Sequence, residues 1–387
     1  MKHVLLLLSV LFWGTSFGQT TFTWTGSIST DWSMAGNWSP ASVPTSSGTV
    51  VIGSATNQPV LAGNTTIAGL TLNAGAVLNL GTYILTVSGT TTSTNAQVSN
   101  GEISGASLTA TSSTFGAKTS FTGAFLQIRN STFNAKAKLT QTGASQSFSY
   151  GNTFNSPVEI CNNGTAAFNF GYTNADVFND SLKASVKGTH NLVLAHSSTG
   201  NAFNGHCSFT KDIGATSWGV VVGGSNTGAT FTGGVKICSL SGTYYTQQGI
   251  AFTNCTFAST SSLSADNTTF IRGTLLLAKC TLNIPVNITL QEQTRLELSS
   301  GTVFNGTSSF AAPALVLSSF SNNAPLSITK NGNTSDYNVG PITSNDFLTL
   351  RNSGTGYLYI GNGTIGHQFN HTLMLENTGV GTFVLAL

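Results

Sequence analysis

Short runs of alternating apolar and polar residues fill the chain after its first twenty positions. The stretch from Ile67 to Gly81 is typical, since Leu, Val and Ile alternate with small or polar residues and glycines mark the corners. Alternation with a period of two, bounded by turn residues, predicts short β-strands. No amphipathic helical stretch follows, so we expect an all-β fold.

The strands belong to a repeated unit that opens with Phe, usually followed by Asn. Phe154, Phe178, Phe203 and Phe231 open four such units, at spacings of 24, 25 and 28 residues. Units this short bury an apolar face only by stacking on one another. The pattern predicts a parallel β-helix of about fifteen coils, which at the usual strand spacing is a rod of about 70 Å. A string of β-sandwiches would need longer units and hairpin turns.

The recurring Phe and Asn predict two stacked rows. Phenylalanines at one place in each coil form an internal aromatic column, although an exposed stripe that stacks on sugar rings is the alternative. The asparagines that follow are expected to bond from coil to coil as an amide ladder. The members predicted from the pattern are Asn134, Asn155, Asn179, Asn204, Asn305 and Asn370.

A longer period of about 190 residues lies over the short one. Leu126, Gly164 and Phe178, for example, have counterparts at Leu315, Gly354 and Phe369. The second copy stops in the middle of a unit at Leu387. We therefore expect the chain to be part of a longer polypeptide, with the β-helix repeats over residues 61–387.

The first eighteen residues have the features of a secretory signal peptide. Lys2 precedes an apolar run from Val4 to Trp13, and the small residues Ser16 and Gly18 precede a cut before Gln19. No later segment has eighteen continuous apolar residues, so no membrane span is expected in the mature chain. The prediction is a secreted protein, extracellular or on the outer cell surface.

Composition narrows the function classes. Charged residues make up 7 % of the chain and the net charge is +2, which excludes the basic stripe of a nucleic-acid binder. The five cysteines are too few for a disulfide scaffold, and no C-x-x-C spacing suggests zinc. Cys255 and Cys280 lie one coil apart, so they form either a disulfide or a buried pair of thiols.

Residues 19–60 carry a cluster of tryptophans, Trp24, Trp32 and Trp38. The first coil of a solenoid has an open edge and an exposed core end. We expect the three indoles to form an N-terminal cap over that end, and a carbohydrate-binding platform is the alternative.

Two segments carry a resemblance to a known group of proteins. The W-T-G…D-W…N-W-S-P…V-P…V-V-I opening from Trp24 and the run from Leu192 to Gly205 resemble large secreted β-helical surface proteins of the Bacteroidetes. The resemblance implies an adhesin-type surface filament and export by type IX secretion. Proteins of this kind usually carry a C-terminal sorting domain, and this chain lacks one. The resemblance supplies no catalytic residue.

Enzymes with this fold need clustered carboxylates, and the twelve acids here are scattered. Asp176 and Asp180 form the nearest cluster, with Glu159 or Asp212 one coil away as further candidates. No cofactor is predicted.

Among other candidate sites, the spacing of His367 and His371 matches a metal pair, but the segment lacks a zincin Glu, and surface histidines are favoured. Ice binding would need a T-x-T pair in every coil, and only three segments come close: residues 21–25, 109–111 and 140–142. The sequence favours a non-catalytic structural or adhesin-type solenoid whose partners are surface glycans or other cell-surface components. A carbohydrate-binding or polysaccharide-degrading β-helix is the alternative.

Overall fold

The computed structural model describes residues 20–212, 219–224, 227–240, 249–266, 272–291, 293–338, 340–361 and 366–386. The predicted signal peptide lies outside these residues. Within them the chain forms forty-three β-strands and one 3₁₀ helix, Ala35–Asn37. Parallel stacked coils build a β-solenoid of about 14 turns, which confirms the predicted fold class. No helix in the described ranges is long and apolar enough to cross a membrane.

The strands are short because each coil turns a corner after a few residues. In the first coils they are β1 (Thr21–Trp24), β2 (Trp38–Ser39), β3 (Thr49–Ile52), β4 (Thr65–Ile67), β5 (Gly69–Leu72), β6 (Val77–Asn79), β7 (Ile84–Thr94), β8 (Gln97–Thr111), β9 (Thr114–Gly123) and β10 (Leu126–Arg129). The middle coils contain β11 (Thr132–Phe133), β12 (Ala137–Gln141), β13 (Ser147–Phe148), β14 (Thr153–Phe154), β15 (Val158–Asn162), β16 (Phe168–Asn169), β17 (Val177–Phe178), β18 (Leu182–Val186), β19 (Leu192–Leu194), β20 (Asn201–Phe203), β21 (Cys207–Lys211), β22 (Val220–Val222), β23 (Ala229–Phe231), β24 (Gly234–Leu240), β25 (Gly249–Thr253), β26 (Thr256–Phe257) and β27 (Ser262–Ala265). The last coils contain β28 (Arg272–Ala278), β29 (Thr281–Leu282), β30 (Val286–Thr289), β31 (Gln293–Ser299), β32 (Thr302–Phe304), β33 (Ser308–Ala312), β34 (Ala314–Leu317), β35 (Phe320–Asn322), β36 (Leu326–Lys330), β37 (Asp336–Asn338), β38 (Ile342–Ser344), β39 (Leu348–Asn352), β40 (Leu358–Ile360), β41 (Gln368–Phe369), β42 (Leu373–Asn377) and β43 (Phe383–Leu385).

The strands line three faces of the rod. Face A contains β9, β12, β15, β18, β21, β24 and β27, followed by β30, β33, β36, β39 and β42. Face B contains β1, β3, β5, β7, β8 and β10, then β13 to β34 at every third strand, then β37, β40 and β43. Face C contains the short strands from β11 to β29 at every third strand, followed by β32, β35, β38 and β41.

The predicted phenylalanine column lies inside the rod on face C. Its rings stack nearly parallel, with centroids 4.7 to 5.0 Å apart, because the coils themselves repeat at the strand spacing. Each ring is at most 1 % exposed, so the interior interpretation is confirmed and the exposed stripe is wrong. The members are Phe115, Phe133, Phe154, Phe178, Phe203, Phe231 and Phe257.

The predicted asparagine ladder runs along the outside of the same strands. Asn155, Asn179 and Asn204 each donate from Nδ2 to Oδ1 of the asparagine one coil earlier, at 2.8 to 2.9 Å. A second row does the same at 2.8 Å through four bonds. Its members are Asn283, Asn305, Asn323, Asn345 and Asn370. Successive members of the two rows lie 18 to 25 residues apart, which measures the length of each coil.

The segment predicted as a separate cap is already part of the solenoid. Strand β1 pairs in parallel with β3, and β3 pairs with β5, so the parallel ladder begins at Thr21. Among the strands of the described residues only β2 runs antiparallel, against β1.

The long period also has a structural counterpart. Leu126 and Ile128 on β10 donate their backbone N–H groups to side chains of the next coil, and Leu315 and Leu317 on β34 do the same.

Candidate functional site

The three tryptophans pack into one cluster at the first coil. The indole of Trp38 lies edge-on against Trp24 and Trp32, with ring centroids 4.8 and 4.7 Å apart. The three side chains are only 2 to 4 % exposed. Trp24 Nε1 donates to the carbonyl of Asn57 at 2.7 Å, and Trp38 Nε1 donates to that of Trp32 at 2.8 Å. The cluster therefore belongs to the buried core of the first coil, and its role as a cap stays a prediction.

The polar residues of the tryptophan motif hold its loop. Asn37 is fully buried and accepts the N–H groups of Ile28 and Ser29 at 2.9 Å each. Asp31 accepts from the backbone and hydroxyl of Ser33, and these bonds lower the pKa of its carboxyl. The D-W and N-W pairs are thus explained by loop structure.

The buried indoles offer no open ring face to a sugar, so the geometry does not assemble the carbohydrate platform considered for Trp24, Trp32 and Trp38. Trp32 reaches the edge of an open cleft of 530 Å³ whose other walls include Pro44 and Asn64.

The two candidate acids Asp176 and Asp180 lie in different surroundings. Asp176 is 1 % exposed, and its carboxylate accepts from the backbone and amide of Asn152 and from the backbone of Gly171. Burial raises the pKa of Asp176 to about 7 although these bonds lower it. Asp180, by contrast, is exposed at a corner. Through these hydrogen bonds the Asp176 carboxylate links its own coil, at Gly171, to the preceding coil, at Asn152.

Glu159 and Asp212 are each engaged by a lysine on face A or its corner. Glu159 lies 3.9 Å from Lys183, and Asp212 lies 3.6 Å from Lys187. Exposed pairs of this kind contribute little to stability. Within the described ranges no group of three His, Cys, Asp or Glu side chains could hold a metal ion.

The two histidines considered as a metal pair make separate local contacts. Nδ1 of His367 accepts from the backbone of Ile342 at 3.2 Å, and burial lowers the pKa of His367. His371 is exposed and its ring lies 4.4 Å from that of Phe347.

All five cysteines lie in the described ranges and carry thiols, so the structure has Cys255 and Cys280 as a buried pair rather than as a disulfide. Their Sγ atoms face the carbonyls of Val222 and Phe252, at 3.5 and 3.2 Å. Burial raises the pKa of Cys255 well above its usual value and raises that of Cys207 to about 12. Thiols held neutral in this way are structural rather than nucleophilic.

Two buried lysines were not indicated by the sequence pattern. Lys330 is fully buried and Nζ donates to the carbonyl of Gly332 at 2.9 Å. Lys211 is equally buried, but its Nζ has no hydrogen-bond partner among the described residues. Burial lowers the pKa of Lys211 to about 8. Both lysines end a strand on face A. Alternation identifies core positions by their apolar residues, so it could not predict that a lysine is buried there.

Threonines line up on the outside of face B in the first coils. One column contains Thr23, Val51, Thr71, Thr92 and Thr109, and the neighbouring column contains Thr21, Thr49, Thr90 and Ser107, with Gly69 between Thr49 and Thr90. Val51 and Gly69 interrupt the hydroxyl array, so T-x-T pairs do not continue through every coil. The sequence showed single T-x-T segments but not which threonines share a column.

A second feature of face B lies near the other end. Tyr337 and Tyr357 are 67 and 52 % exposed, and the ring of Tyr359 lies 5.7 Å from that of Tyr337. Beside them a cleft of 340 Å³ reaches to Arg295. Arg295 is 42 residues from Tyr337 in the chain, so only the stacking of coils brings them to one cleft.

Comparison with known proteins covers a small part of the chain. Residues 23–112 match a family model described as "Domain of unknown function (DUF8693)". This segment contains the tryptophan cluster and most of the threonine columns. No curated protein and no solved structure matches the chain.

Proposed function

We propose that the chain is a non-catalytic, secreted or cell-surface solenoid of adhesin type. The observation that carries the proposal is the exterior of the rod. Hydroxyl side chains stand in register in the first coils, as the threonine columns of face B, which Val51 and Gly69 interrupt. Amide side chains stand in register along the two asparagine rows of face C. A rigid surface with repeating, uncharged hydrogen-bonding groups fits contact with an extended or repetitive partner.

Export is the first requirement of this function. The apolar run from Val4 to Trp13 and the small residues before Gln19 support a signal peptide, and the sequence resemblance supports display beyond the outer membrane. The test is expression of residues 1–387 in a Bacteroidetes host, joined at the C-terminus to a tag and to a type IX sorting domain of that host, with Leu6→Arg in the same fusion as the control variant. We expect the unaltered chain to begin at Gln19 and to be reached by antibody on intact cells. A chain that keeps residues 1–18 in the cytoplasm would contradict the proposal.

Attachment is the second requirement. Cells that display the chain should bind to glycan-coated or cell-coated surfaces more than cells that express the Leu6→Arg variant, which is expected to stay inside the cell. Soluble products should be measured in the same wells with polysaccharide present. Attachment without products is the expected result. Release of oligosaccharides would instead establish the polysaccharide-degrading alternative, and an absence of both attachment and products would overturn the adhesin function.

A further inference from the structure

We propose that the cleft on face B between Arg295 and Tyr337 binds a sugar residue of a neutral glycan. The inference rests on the proposed adhesin function and names the ligand class of one site on the rod. Arg295 forms one wall of the cleft and Tyr337 the other, and the short side chains of Ala314 and Val316 form its floor.

The register of the strands builds the floor. Arg295 and Glu297 on β31 lie beside Ala314 and Val316 on β34. In the next coil the backbone N–H of Leu315 donates to Asp336 at 2.9 Å, which sets β37 and its Tyr337 beside β34. Ala314 and Val316 are shorter than the side chains on both sides. They leave a depression of 340 Å³, near the low end of the range for ligand pockets, which suits one or two sugar residues.

The aromatic wall is exposed in a way that indicates a ligand. Tyr337 is 67 % exposed, and Tyr357 and Tyr359 continue the patch into the next coil. Large apolar rings left open to water are costly unless something covers them, and clusters of them mark binding surfaces. A pyranose has an apolar face of C–H groups and a rim of hydroxyls, so it covers such a ring while its hydroxyls stay hydrogen-bonded.

The opposite wall supplies hydrogen-bonding groups. One terminal nitrogen of Arg295 lies 3.1 Å from a Glu297 oxygen, and the two side chains are 18 and 26 % exposed. Nε of Arg295 is buried and has no hydrogen-bond partner among the described residues. Nε is closed to solvent and therefore to a ligand as well. Arg295 lines the cleft, its side chain is partly exposed, and a guanidinium carries five N–H donors, so donors other than the one that faces Glu297 can reach a sugar hydroxyl.

The charges of the cleft balance one another, which favours a neutral ligand. Arg295 pairs with Glu297, and Lys330 and Arg295 both act on the carboxyl of Asp336 to lower its pKa, against burial that raises it. Nζ of Lys330 is engaged inside the rod with the carbonyl of Gly332. Among the described side chains of the cleft no excess positive charge is left to hold a uronate or a sulfate, so the desolvation of such a ligand would be uncompensated.

The experiment is affinity gel electrophoresis of residues 19–387 in gels that contain xyloglucan, a β-1,3-glucan, galactomannan or polygalacturonate. We expect at least one neutral polysaccharide to retard the chain and polygalacturonate not to do so. Tyr337→Ala and Tyr359→Ala should each weaken the retardation about tenfold, which corresponds to roughly 1.4 kcal/mol. Val316→Trp, which fills the floor and leaves the tyrosines in place, should abolish it.

Tyr83→Ala is the matched control, because Tyr83 is 37 % exposed but lies in the first coils, away from the cleft. Its mobility should equal that of the unaltered chain, and thermal melting should show that every variant is folded. The inference is overturned if no neutral polysaccharide retards the unaltered chain. It is also overturned if Tyr337→Ala, Tyr359→Ala and Val316→Trp are retarded as strongly as the control. Neither result would contradict the adhesin function if cells that display the chain still attach in the experiment described above.

Discussion

At the scale of single residues, a tripeptide such as Thr153-Phe154-Asn155 divides its side chains between solvent and core. Phe154 stacks in the internal column, while Thr153 and Asn155 lie on the opposite, outward face of the strand. The alternation of a β-strand makes this division unavoidable. The same residue type recurs at the same place in the next coil, so that equivalent side chains form a continuous row along the rod.

The phenylalanine column should be a main source of stability. Phe178 is 1 % exposed and stacks on Phe154 and Phe203 at 5.0 and 4.9 Å. We predict that Phe178→Ala lowers the free energy of unfolding by about 3–5 kcal/mol, because it removes a buried ring and leaves a cavity. Chemical denaturation measures this. Phe347→Ala is the control, since Phe347 is 51 % exposed, and it should cost about 0.5 kcal/mol or less.

The buried Asp176 should make stability depend on pH. Its pKa is raised from 3.8 to about 7, so the folded chain holds this proton more tightly than the unfolded chain does. The resulting stabilisation is fully present below about pH 4 and is lost as the pH rises through about 7. We predict that the unfolding free energy of the unaltered chain, relative to Asp176→Asn, decreases from pH 4 to pH 7. A difference that grows over this range would show that the three hydrogen bonds outweigh burial.

At the scale of elements, the asparagine rows join strands of face C through their side chains as well as through their backbones. Asn179 donates to Asn155 and accepts from Asn204, whereas Asn283 accepts from Asn305 and donates to no other asparagine of the described residues. We predict that Asn179→Ala costs about 1–2 kcal/mol and Asn283→Ala about half of that, since a net hydrogen bond contributes about 1 kcal/mol and these are exposed. Equal losses in denaturation experiments would show that the ladder bonds are not the cause.

The sequence predicted the rows only where their marker residue was present. Asn134, Asn155, Asn179, Asn204, Asn305 and Asn370 follow a phenylalanine and were predicted as ladder members. Asn283, Asn323 and Asn345 were missed because Leu282, Asn322 and Ser344 occupy the inner position in their coils. The residue type at the inner position depends on packing within its own coil. The outer position keeps an asparagine because its side chain bonds to the asparagines of the coils before and after it.

The candidate cleft could not be predicted for a different reason. Arg295 and Tyr337 come together only if both intervening coils have the lengths that the structure gives them. Coils of 18 and 25 residues occur in the same rod, so sequence spacing alone does not fix which outward residues share a column. Inward residues are easier to predict, because the alternation within each strand already shows which of its side chains face the core.

At the scale of the whole molecule, each coil is stabilised mainly by the coil before it and the coil after it. Strand β18 pairs with β15 on one side and β21 on the other, whereas β42 pairs with β39 and with no other strand of the described residues. The two strands occupy matching places in the long repeat, so they form a natural comparison.

We predict that backbone amides of Leu373–Asn377 exchange with deuterium much faster than those of Leu182–Val186. Opening of β42 breaks one interface and exposes little new apolar surface, since Leu375 is already 42 % exposed. Hydrogen exchange followed by mass spectrometry of peptides measures this in the unaltered chain. Equal protection would mean that the rod opens as a single cooperative unit.

Because each ladder asparagine donates to the asparagine one coil earlier, chemical loss of one amide would break the ladder. Asn204 and Asn305 are each followed by glycine, the neighbour that most readily allows an asparagine side chain to deamidate. The product, aspartate, has no amide hydrogen to give to the preceding coil and would face the oxygen of Asn179 or Asn283. Deamidation of one asparagine would therefore replace an attractive contact between two coils with a repulsive one, at a position set by the sequence, and the intact rod would have a limited chemical lifetime.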